Sequence, residues 1–314
     1  MKLDAYVKYY ISSDGFMKPS YKISPFMTSD LSFNHELLSQ DVNCINNIFL
    51  EKFESKYDVN FSSSGRECLK VILEKMALCE FDVVTILTTT DSLYVSSCVT
   101  NTIEKYCQWN RIITSESRLI LVIHEFGKQY SDVKGLIKYN LPIIEDYAHS
   151  FPALFKCNDF LGDFVLFSLS KFLPLQKGGL LLSKKKYVAH IENSYLTRIA
   201  EKTFIHYSTE FESFFEQRKL LETIYIKELS SIGAEPFFQY QSFECPGAFV
   251  FQCALDLELL QGIKEFLQNN AIECSVFYGN KAFFLPCHHR MTQFDVQYIV
   301  YLIRLFLENN IENK

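Results

Sequence analysis

LPIIEDYAH, residues 141–149, places a short apolar run directly before two acidic residues. Comparable apolar runs occupy residues 119–123 and 164–168, and a further one follows at residues 178–182. Short continuous runs of this kind, separated by stretches with helical spacing, indicate buried parallel strands. We therefore predict an α/β fold in which helices cover both faces of a mostly parallel sheet.

Polar residues stand where the predicted strands end and where a predicted helix begins. Asp146 ends one strand, Lys171 follows another, and Ser64-Gly65 opens a helix. Ligands of open parallel sheets bind beyond the carboxyl ends of the strands, so we expect these groups to share a site. A helix start attracts phosphate, lysine forms Schiff bases, and a carboxylate pairs with a protonated pyridine nitrogen. Together these groups predict a site for pyridoxal 5'-phosphate (PLP).

Each of these residues also has a simpler interpretation, which the sequence leaves open. A strand-end aspartate is commonly a cap, a Ser/Gly turn caps a helix, and a lone lysine is commonly solvated. Lys177 is a rival to Lys171, although its place beside a glycine favours a solvated loop. His124 is interpreted as a structural residue at a strand end. Residues 287–289, Cys-His-His, lack a second ligand pair with suitable spacing, so no metal site is predicted.

The composition is that of a folded protein that does not bind nucleic acid. The 314 residues carry a net charge of −6, with 48% hydrophobic and 22% charged residues, and no Lys/Arg run exceeds residues 184–186. The ten cysteines form no CxxC pair, which favours reduced thiols in a cytoplasmic protein. We see neither a signal peptide nor an apolar stretch of about 18 residues, so no membrane partner is expected.

The chain length favours two domains. Strand and helix patterns alternate over the first part of the sequence, and long helical patterns dominate from about residue 186 onward. We predict a large α/β domain over residues 1–190 and a smaller α+β domain over residues 191–314.

Five segments resemble the motifs of one enzyme family, and they follow the same order along the chain. The family motifs are EFEEKFA…SSGT, VHLYG, PVIEDAAQ, GD…FSF…TK……GG and LPLH…LTDEDV. The matching segments are residues 51–65, 122–127, 141–149, 162–179 and 284–296. The chain thus resembles the DegT/StrS-type sugar aminotransferases, which implies the PLP-dependent aminotransferase fold of type I.

The resemblance implies roles around the ring of PLP. Lys171 would form the Schiff base with PLP and shuttle protons, and Asp146 would pair with the pyridine nitrogen. His149 stands where the family has a glutamine, near the phenolic oxygen of the cofactor. Tyr94 is the candidate aromatic that stacks on the ring.

The resemblance also implies a phosphate site. Ser64, Gly65 and Arg66 would hold the phosphate, with Arg66 in place of a threonine of the family. A hydroxyl group would come from Ser168, or from Ser170, because the span before Lys171 is about two residues shorter than in the family.

The implied activity is transfer of an amino group, with glutamate as the usual donor, to a nucleotide-linked keto sugar for surface glycan or lipopolysaccharide synthesis. The resemblance implies a homodimer with active sites at its interface. The family segment GYNYRM, which reaches the partner's site, has no match after Lys171, and residues 110–119 form a short connection. An alternative is therefore a degenerate relative that acts as a binding or scaffold subunit, although retained Lys171 and Asp146 argue against it. A sugar dehydratase is disfavoured, because those relatives carry histidine in place of the lysine.

Overall fold

The computed structural model describes residues 19–39, 48–187 and 191–311 of the chain. These residues form two compact units. The large unit contains Tyr240–Gly247 and the described part of Ser24–Phe215, and the small unit contains Glu216–Gln239 and the described residues up to Ile23 and from Ala248 onward. Within the described residues, no helix has the length and apolar content needed to cross a bilayer.

A seven-stranded sheet lies at the centre of the described part of the large unit. Its strands, in chain order, are β1 (Tyr57–Ser62), β2 (Val83–Thr88), β3 (Gln108–Asn110), β4 (Ser117–Ile123), β5 (Ile143–Asp146), β6 (Phe164–Ser168) and β7 (Gly179–Lys184). Their spatial order is β1-β7-β6-β5-β4-β2-β3. β7 is antiparallel to both of its neighbours, and the other adjacent pairs are parallel. The predicted mostly parallel sheet is confirmed.

The reversal of β7 follows from the short connection before it. Residues 169–178 separate β6 from β7, and a parallel crossover needs about a dozen residues or more, usually with a helix. The sequence does not predict β1, because Ile48, Phe49, Phe53 and Tyr57 recur at helical spacing and a Ser/Gly turn follows Phe61. β1 forms through its pairing with β7, from Tyr57 opposite Lys184 to Ser62 opposite Gly179, and no local pattern reveals a partner so distant in sequence.

Helices cover both faces of this sheet. Along β6, Phe164 and Leu166 belong to one apolar cluster and Val165 and Phe167 to another, as the alternation of strand side chains requires. The helices of the described residues up to Leu229 are α1 (Asp30–Glu36), α2 (Ile48–Glu54), α3 (Gly65–Met76), α4 (Ser97–Ile103), α5 (Val133–Leu136), α6 (Ala153–Lys156), α7 (Tyr195–Tyr207) and α8 (Phe211–Leu229). α3 belongs to the first cluster, and α2 and α7 to the second.

Several predicted helix bounds differ from those observed. The sequence pattern predicts a helix over residues 93–106, where the structure has only α4. Ser131 is predicted to cap a helix that runs to about residue 139, and the helix found there is the short α5. Ser131 is wrong as the cap, because Oδ1 of Asp132 accepts the hydrogen bond from Gly135 N at 2.9 Å. The long helical pattern over residues 187–231 is α7 and α8.

The small unit is built on an antiparallel sheet with helices. In the described residues its strands are β8 (Glu235–Pro236), β9 (Phe249–Gln252), β10 (Ser275–Phe277) and β11 (Ala282–Leu285), in the order β10-β11-β9-β8. Its other helices are α9 (Leu257–Asn269) and α10 (Gln293–Ile311). Thr292 followed by Asp295 in the sequence predicts a capping box with Asp in place of Glu. α10 begins with this box: Thr292 N and Oγ1 donate to Asp295 Oδ2 at 2.6 and 2.8 Å, and Asp295 N donates to Thr292 Oγ1 at 3.3 Å. The division at residue 190 stays a prediction, although α7 packs with β1 in the large unit.

Candidate active site

The carboxyl ends of the parallel strands meet at one edge of the large sheet. Ser62 at the end of β1 and Ser168 at the end of β6 face the same residue of β7, Gly179. Asp146 at the end of β5 pairs with Ile123 at the end of β4. This edge therefore collects the strand ends that carry the predicted site residues, and we call it the ligand edge.

Asp146 lies at the ligand edge with its side chain almost completely buried. The residue is 6% exposed, and Oδ1 accepts a hydrogen bond from Ala148 N at 2.8 Å. Burial raises the pKa of Asp146 to about 6, because desolvation disfavours the carboxylate more than the Ala148 bond and the nearby His124 favour it. A cationic partner beside this carboxyl group would stabilise its charged form.

Glu145, the neighbouring acid, has the opposite environment. Its Oε1 accepts backbone hydrogen bonds from Leu161 at 2.9 Å and Gly162 at 2.6 Å, and its Oε2 accepts one from Tyr147 Oη at 3.0 Å. Burial alone would raise the pKa of Glu145, but His124 and these donors hold it below its ordinary value. Glu145 is thus a satisfied buried carboxylate, a role that its place in the LPIIEDYAH motif did not reveal.

His124 connects β4 to this network. Nδ1 accepts a hydrogen bond from Tyr130 N at 2.9 Å, so Nε2 carries the proton of a neutral ring, 3.4 Å from Glu145 Oε2. The ring stacks on Tyr147 with a centroid distance of 3.8 Å, and His124 N donates to the carbonyl of Asp146 at 3.0 Å. The prediction of a structural role for His124 agrees with these contacts.

The start of α3 approaches the end of β6 through two glycines. A Cβ on Gly65 would lie 3.3 Å from Ser168 Cβ. A Cβ on Gly179 would lie 2.5 Å from both C and O of Ser64, a distance that no real Cβ shows. Ser64 caps α3, its Oγ accepting a hydrogen bond from Glu67 N at 3.1 Å. The structure thereby places the helix start that was predicted to bind phosphate beside the Ser168 hydroxyl.

Arg66 lies in the first turn of α3, with its side chain exposed. Its Nη2 donates to Sγ of Cys98 in α4 at 2.8 Å. The guanidinium therefore lies close to the α3 start, where an anion would also be attracted by the helix dipole.

Lys171 ends a 3-10 turn, Leu169–Lys171, that follows β6. Lys171 is partly buried, whereas Lys177 is exposed. The hydroxyls of Ser168 and Ser170 lie 3.4 Å apart, so both alternatives for the phosphate hydroxyl are at this strand end. Of the two, Ser168 is the residue against which Gly65 packs.

Tyr94 and His149 each follow a strand that ends at the ligand edge. Tyr94 follows the turn after β2 and is 39% exposed. His149 follows β5 and is partly exposed, with its ring 5.5 Å from that of Phe126. Its backbone packs against Gly247, where a Cβ would be 2.3 Å from His149 O.

Two charged residues that hold the turn after β2 were missed by the sequence analysis. Arg111 Nη2 donates to Thr88 Oγ1 at 2.9 Å and to Ser92 O at 2.6 Å. Glu125 Oε2 accepts from Thr90 N at 2.8 Å and from Thr90 Oγ1 at 2.7 Å. Glu125 falls in the VIHEFG segment, but Arg111 lies outside every motif and gives no sequence signal.

Residues 287–289, considered for a metal, lie in the small unit. Burial lowers the pKa of His288 to about 3 and that of His289 to about 2, with Arg218 as the next cause in both cases. Within the described part of the chain, no group of three or more His, Cys, Asp or Glu side chains has the arrangement of a metal site.

Comparisons with known proteins identify the family and agree with the fold. Residues 45–238 match the family model described as "Putative PLP-dependent aminotransferase". The chain belongs to this family of PLP-dependent aminotransferases. A search of curated proteins found no significant match.

Solved structures of sugar aminotransferases have a similar fold. "Putative sugar aminotransferase Spr1654 from Streptococcus pneumoniae, PMP-form" aligns with a TM-score of 0.70 and 14% identity over 98% of this chain and 100% of that chain. The aminotransferase TlmJ from Streptoalloteichus hindustanus aligns with a TM-score of 0.69 and 13% identity over 90% and 97%. A DegT DnrJ EryC1 StrS aminotransferase from Brucella abortus gives 0.66 and 13% over 88% and 96%. The DegT/StrS-type fold predicted from the sequence is confirmed.

The residues of the ligand edge fit PLP. Because Gly65 and Gly179 have no Cβ, the start of α3 can lie beside Ser168. A Cβ at either glycine would crowd the place proposed for the phosphate. The buried carboxyl of Asp146 has a raised pKa, and a protonated ring nitrogen is the kind of partner that would stabilise its charge.

We predict that Gly179→Ala weakens PLP binding and destabilises the fold by about 1–3 kcal/mol, because the new methyl group meets the backbone of Ser64. Denaturant unfolding and PLP titration of the apoprotein measure the two effects. Gly178→Ala is the matched control: its Cβ would meet only side-chain atoms of Leu175, Ala200 and Leu169, at 3.1–3.4 Å. Equal PLP affinity of the two variants would contradict a steric role for Gly179.

We predict that Asp146→Asn removes a pH dependence from the stability of the apoprotein. The folded-state pKa of about 6 exceeds the ordinary value of 3.8, so the folded state binds more protons between these values and wild-type stability falls as pH rises from about 4 to about 6. The fall is at most about 3 kcal/mol. Denaturant unfolding across this range should show the Asn variant gaining stability relative to wild type.

The exposed Glu258, in the first turn of α9, provides the control for this pH series. Glu258→Gln replaces a carboxyl group by an amide of the same size. This variant should follow the wild-type pH profile. Parallel profiles for wild type and Asp146→Asn would show that burial does not raise the pKa of Asp146.

Proposed function

We propose that this aminotransferase moves an amino group from glutamate to a nucleotide-linked keto sugar. The observation that carries the proposal is the meeting of three groups at the ligand edge: the buried carboxyl of Asp146, the amine-bearing turn that ends at Lys171, and the start of α3 at Ser64-Gly65. Sugar aminotransferases among the structures of similar fold support the substrate class.

The residues around PLP have distinct proposed tasks. When bound, PLP supplies a ring that accepts electrons from the carbon that loses or gains a proton. The carboxylate of Asp146 would keep the pyridine nitrogen protonated. Lys171 would hold the cofactor through Nζ and would move protons as a base and an acid. His149 would serve the phenolic oxygen, and Tyr94 would be the aromatic residue that packs on the ring.

The phosphate of PLP is assigned to the start of α3. Backbone N–H groups of Gly65 and Arg66 point toward the helix N-terminus, where the dipole favours an anion. The hydroxyl groups of Ser64 and Ser168 add donors, and the guanidinium of Arg66 adds a positive charge. Ser170 is the alternative donor to Ser168, because their hydroxyls lie 3.4 Å apart.

The proposed setting is a cytoplasmic homodimer that serves surface glycan or lipopolysaccharide synthesis. The resemblance of the sequence motifs to the DegT/StrS type supports both parts of this proposal. The net charge of −6 disfavours nucleic acid as a binding partner.

The test of the site is the visible absorption band that PLP forms with a lysine amine. Lys171→Ala should abolish the band, and Lys177→Ala, a change of the exposed lysine nearby, should retain it. Borohydride reduction of the wild type should fix the cofactor to the peptide that contains Lys171, as mass spectrometry measures. A label on the Lys177 peptide, or a band that persists in Lys171→Ala, would reject the assignment.

The donor and acceptor are tested by the two half-reactions. Glutamate should bleach the band of the wild type and release 2-oxoglutarate, and a panel of keto sugars linked to different nucleotides should restore it. The acceptor that restores the band fastest at low concentration identifies the substrate. A band that glutamate and other amino acids leave unchanged would favour the degenerate binding or scaffold protein.

A further inference from the structure

Side-chain hydrogen bonds hold the turn that joins β2 to Tyr94 from both of its sides. Residues 88–92, TTTDS, form this turn, which we call the β2 turn. Arg111, which follows β3, binds its first and last residues, and Glu125, which follows β4, binds its middle. A turn at a sheet edge with this many side-chain bonds has a defined backbone conformation, whereas loops at such edges are commonly mobile.

The bonds of Arg111 lead directly to Tyr94. The carbonyl of Ser92 accepts from Arg111 Nη2 at 2.6 Å, and the hydroxyl of the same Ser92 accepts from Tyr94 N at 3.1 Å. Ser92 is 6% exposed, although Tyr94 and the intervening Leu93 are 39% and 81% exposed. One buried serine thus transmits the position of the guanidinium to the backbone of the exposed aromatic residue.

The guanidinium of Arg111 makes its hydrogen bonds with the β2 turn. Among the described residues, its guanidinium makes its hydrogen bonds through Nη2, and Nη1 is buried without a partner. Burial lowers the pKa of Arg111, and the nearby charges of Glu125 and Asp91 oppose that effect. Burying a charged guanidinium costs free energy, and here the hydrogen bonds to the turn offset that cost. The position of the turn is therefore important.

Glu125 holds the turn from the β4 side. Its carboxylate binds Thr90 through the backbone N–H and the hydroxyl, and its own N–H donates to Thr89 Oγ1 at 3.1 Å. Thr89 Oγ1 also donates to Lys128 O at 2.9 Å. The β2 turn is therefore held on one side by the segment that follows β3 and on the other side by the segment that follows β4.

The sheet register places this turn near Asp146. Thr88 pairs with Ile123, which pairs with Asp146, so β2 lies two strands from β5. At about 4.8 Å per strand, the backbones of Thr88 and Asp146 are about 10 Å apart. The β2 turn is therefore near enough to Asp146 for Tyr94 to contact a ligand that lies between them.

We infer that Arg111 is a positioning residue that sets the place of Tyr94 against the ring of PLP, acting through the β2 turn. The inference rests on the proposed function of the site. It assigns to Arg111 no contact with the cofactor or the substrate.

The test is a double-mutant cycle on the affinity of the apoprotein for PLP. Tyr94→Ala should raise the dissociation constant about 3–10-fold, which corresponds to the loss of one aromatic contact of about 0.65–1.4 kcal/mol. Arg111→Met should raise it by a similar factor. The double variant should bind no more weakly than the weaker single variant, because Arg111 acts through Tyr94.

The visible absorption band provides a second measurement. The Arg111→Met and Tyr94→Ala variants should shift the band maximum in the same direction, and Tyr94→Phe, which keeps the ring, should leave it in place. Arg118→Met is the matched control, since Arg118 pairs with Asp82 at 3.2 Å on an exposed part of β4; it should change neither quantity. If Arg111→Met fails to fold, Thr88→Val removes one acceptor of the guanidinium with little change of volume.

The outcomes separate this inference from the proposed function. Equal weakening of PLP binding by Arg111→Met in the presence and absence of Tyr94 would overturn it, as would unchanged affinity in Tyr94→Ala while Lys171→Ala abolishes the band. In both cases the proposed function stands. A wild-type protein that forms no band with PLP would overturn the proposed function and the inference with it.

Discussion

The close approach of two backbones at Gly179 holds the ligand edge together. A Cβ at this residue would lie 2.5 Å from C and O of Ser64 and 2.9 Å from Gly65 N. Since only glycine permits this distance, β7 can support the start of α3 directly. Gly65 in turn lies against Ser168. The missing Cβ at Gly179 thus brings the start of α3 next to the end of β6 and to the turn that carries Lys171.

Two adjacent carboxyl groups at the end of β5 differ because successive strand residues face opposite sides of the sheet. Glu145 has donors from Leu161, Gly162 and Tyr147, and its pKa is lowered. Asp146 has one backbone donor on Oδ1, and burial raises its pKa to about 6. The first has donors that stabilise its carboxylate, and through Leu161 and Gly162 it fixes the loop before β6. The second is the acid whose charge depends on what binds beside it, the usual separation between a supporting and a working group.

The sequence was sufficient for the parts of the fold that local patterns encode. Continuous apolar runs predicted β4, β5 and β6, and the Ser64-Gly65 turn predicted the start of α3. β1 was missed, because pairing with β7 defines it, whereas its own residues resemble the end of a helix. Arg111 was missed for a related reason: its acceptors Thr88 and Ser92 precede it by 23 and 19 residues. Contacts between segments of this kind leave no period or spacing in a single sequence.

The two sides of the ligand edge are built by different forces, which accounts for the uneven distribution of motifs. On the side of β1 and β6, the contacts are close approaches between backbones, which require glycine at fixed positions. This requirement accounts for the motif matches at residues 51–65 and 162–179. On the β2 side, side-chain hydrogen bonds from Arg111 and Glu125 hold the turn. Hydrogen-bonding side chains from separate segments can be replaced by others that reach the same acceptors. That side of the site can therefore diverge in sequence, and residues 88–118 match no motif although they hold Tyr94 at the same edge.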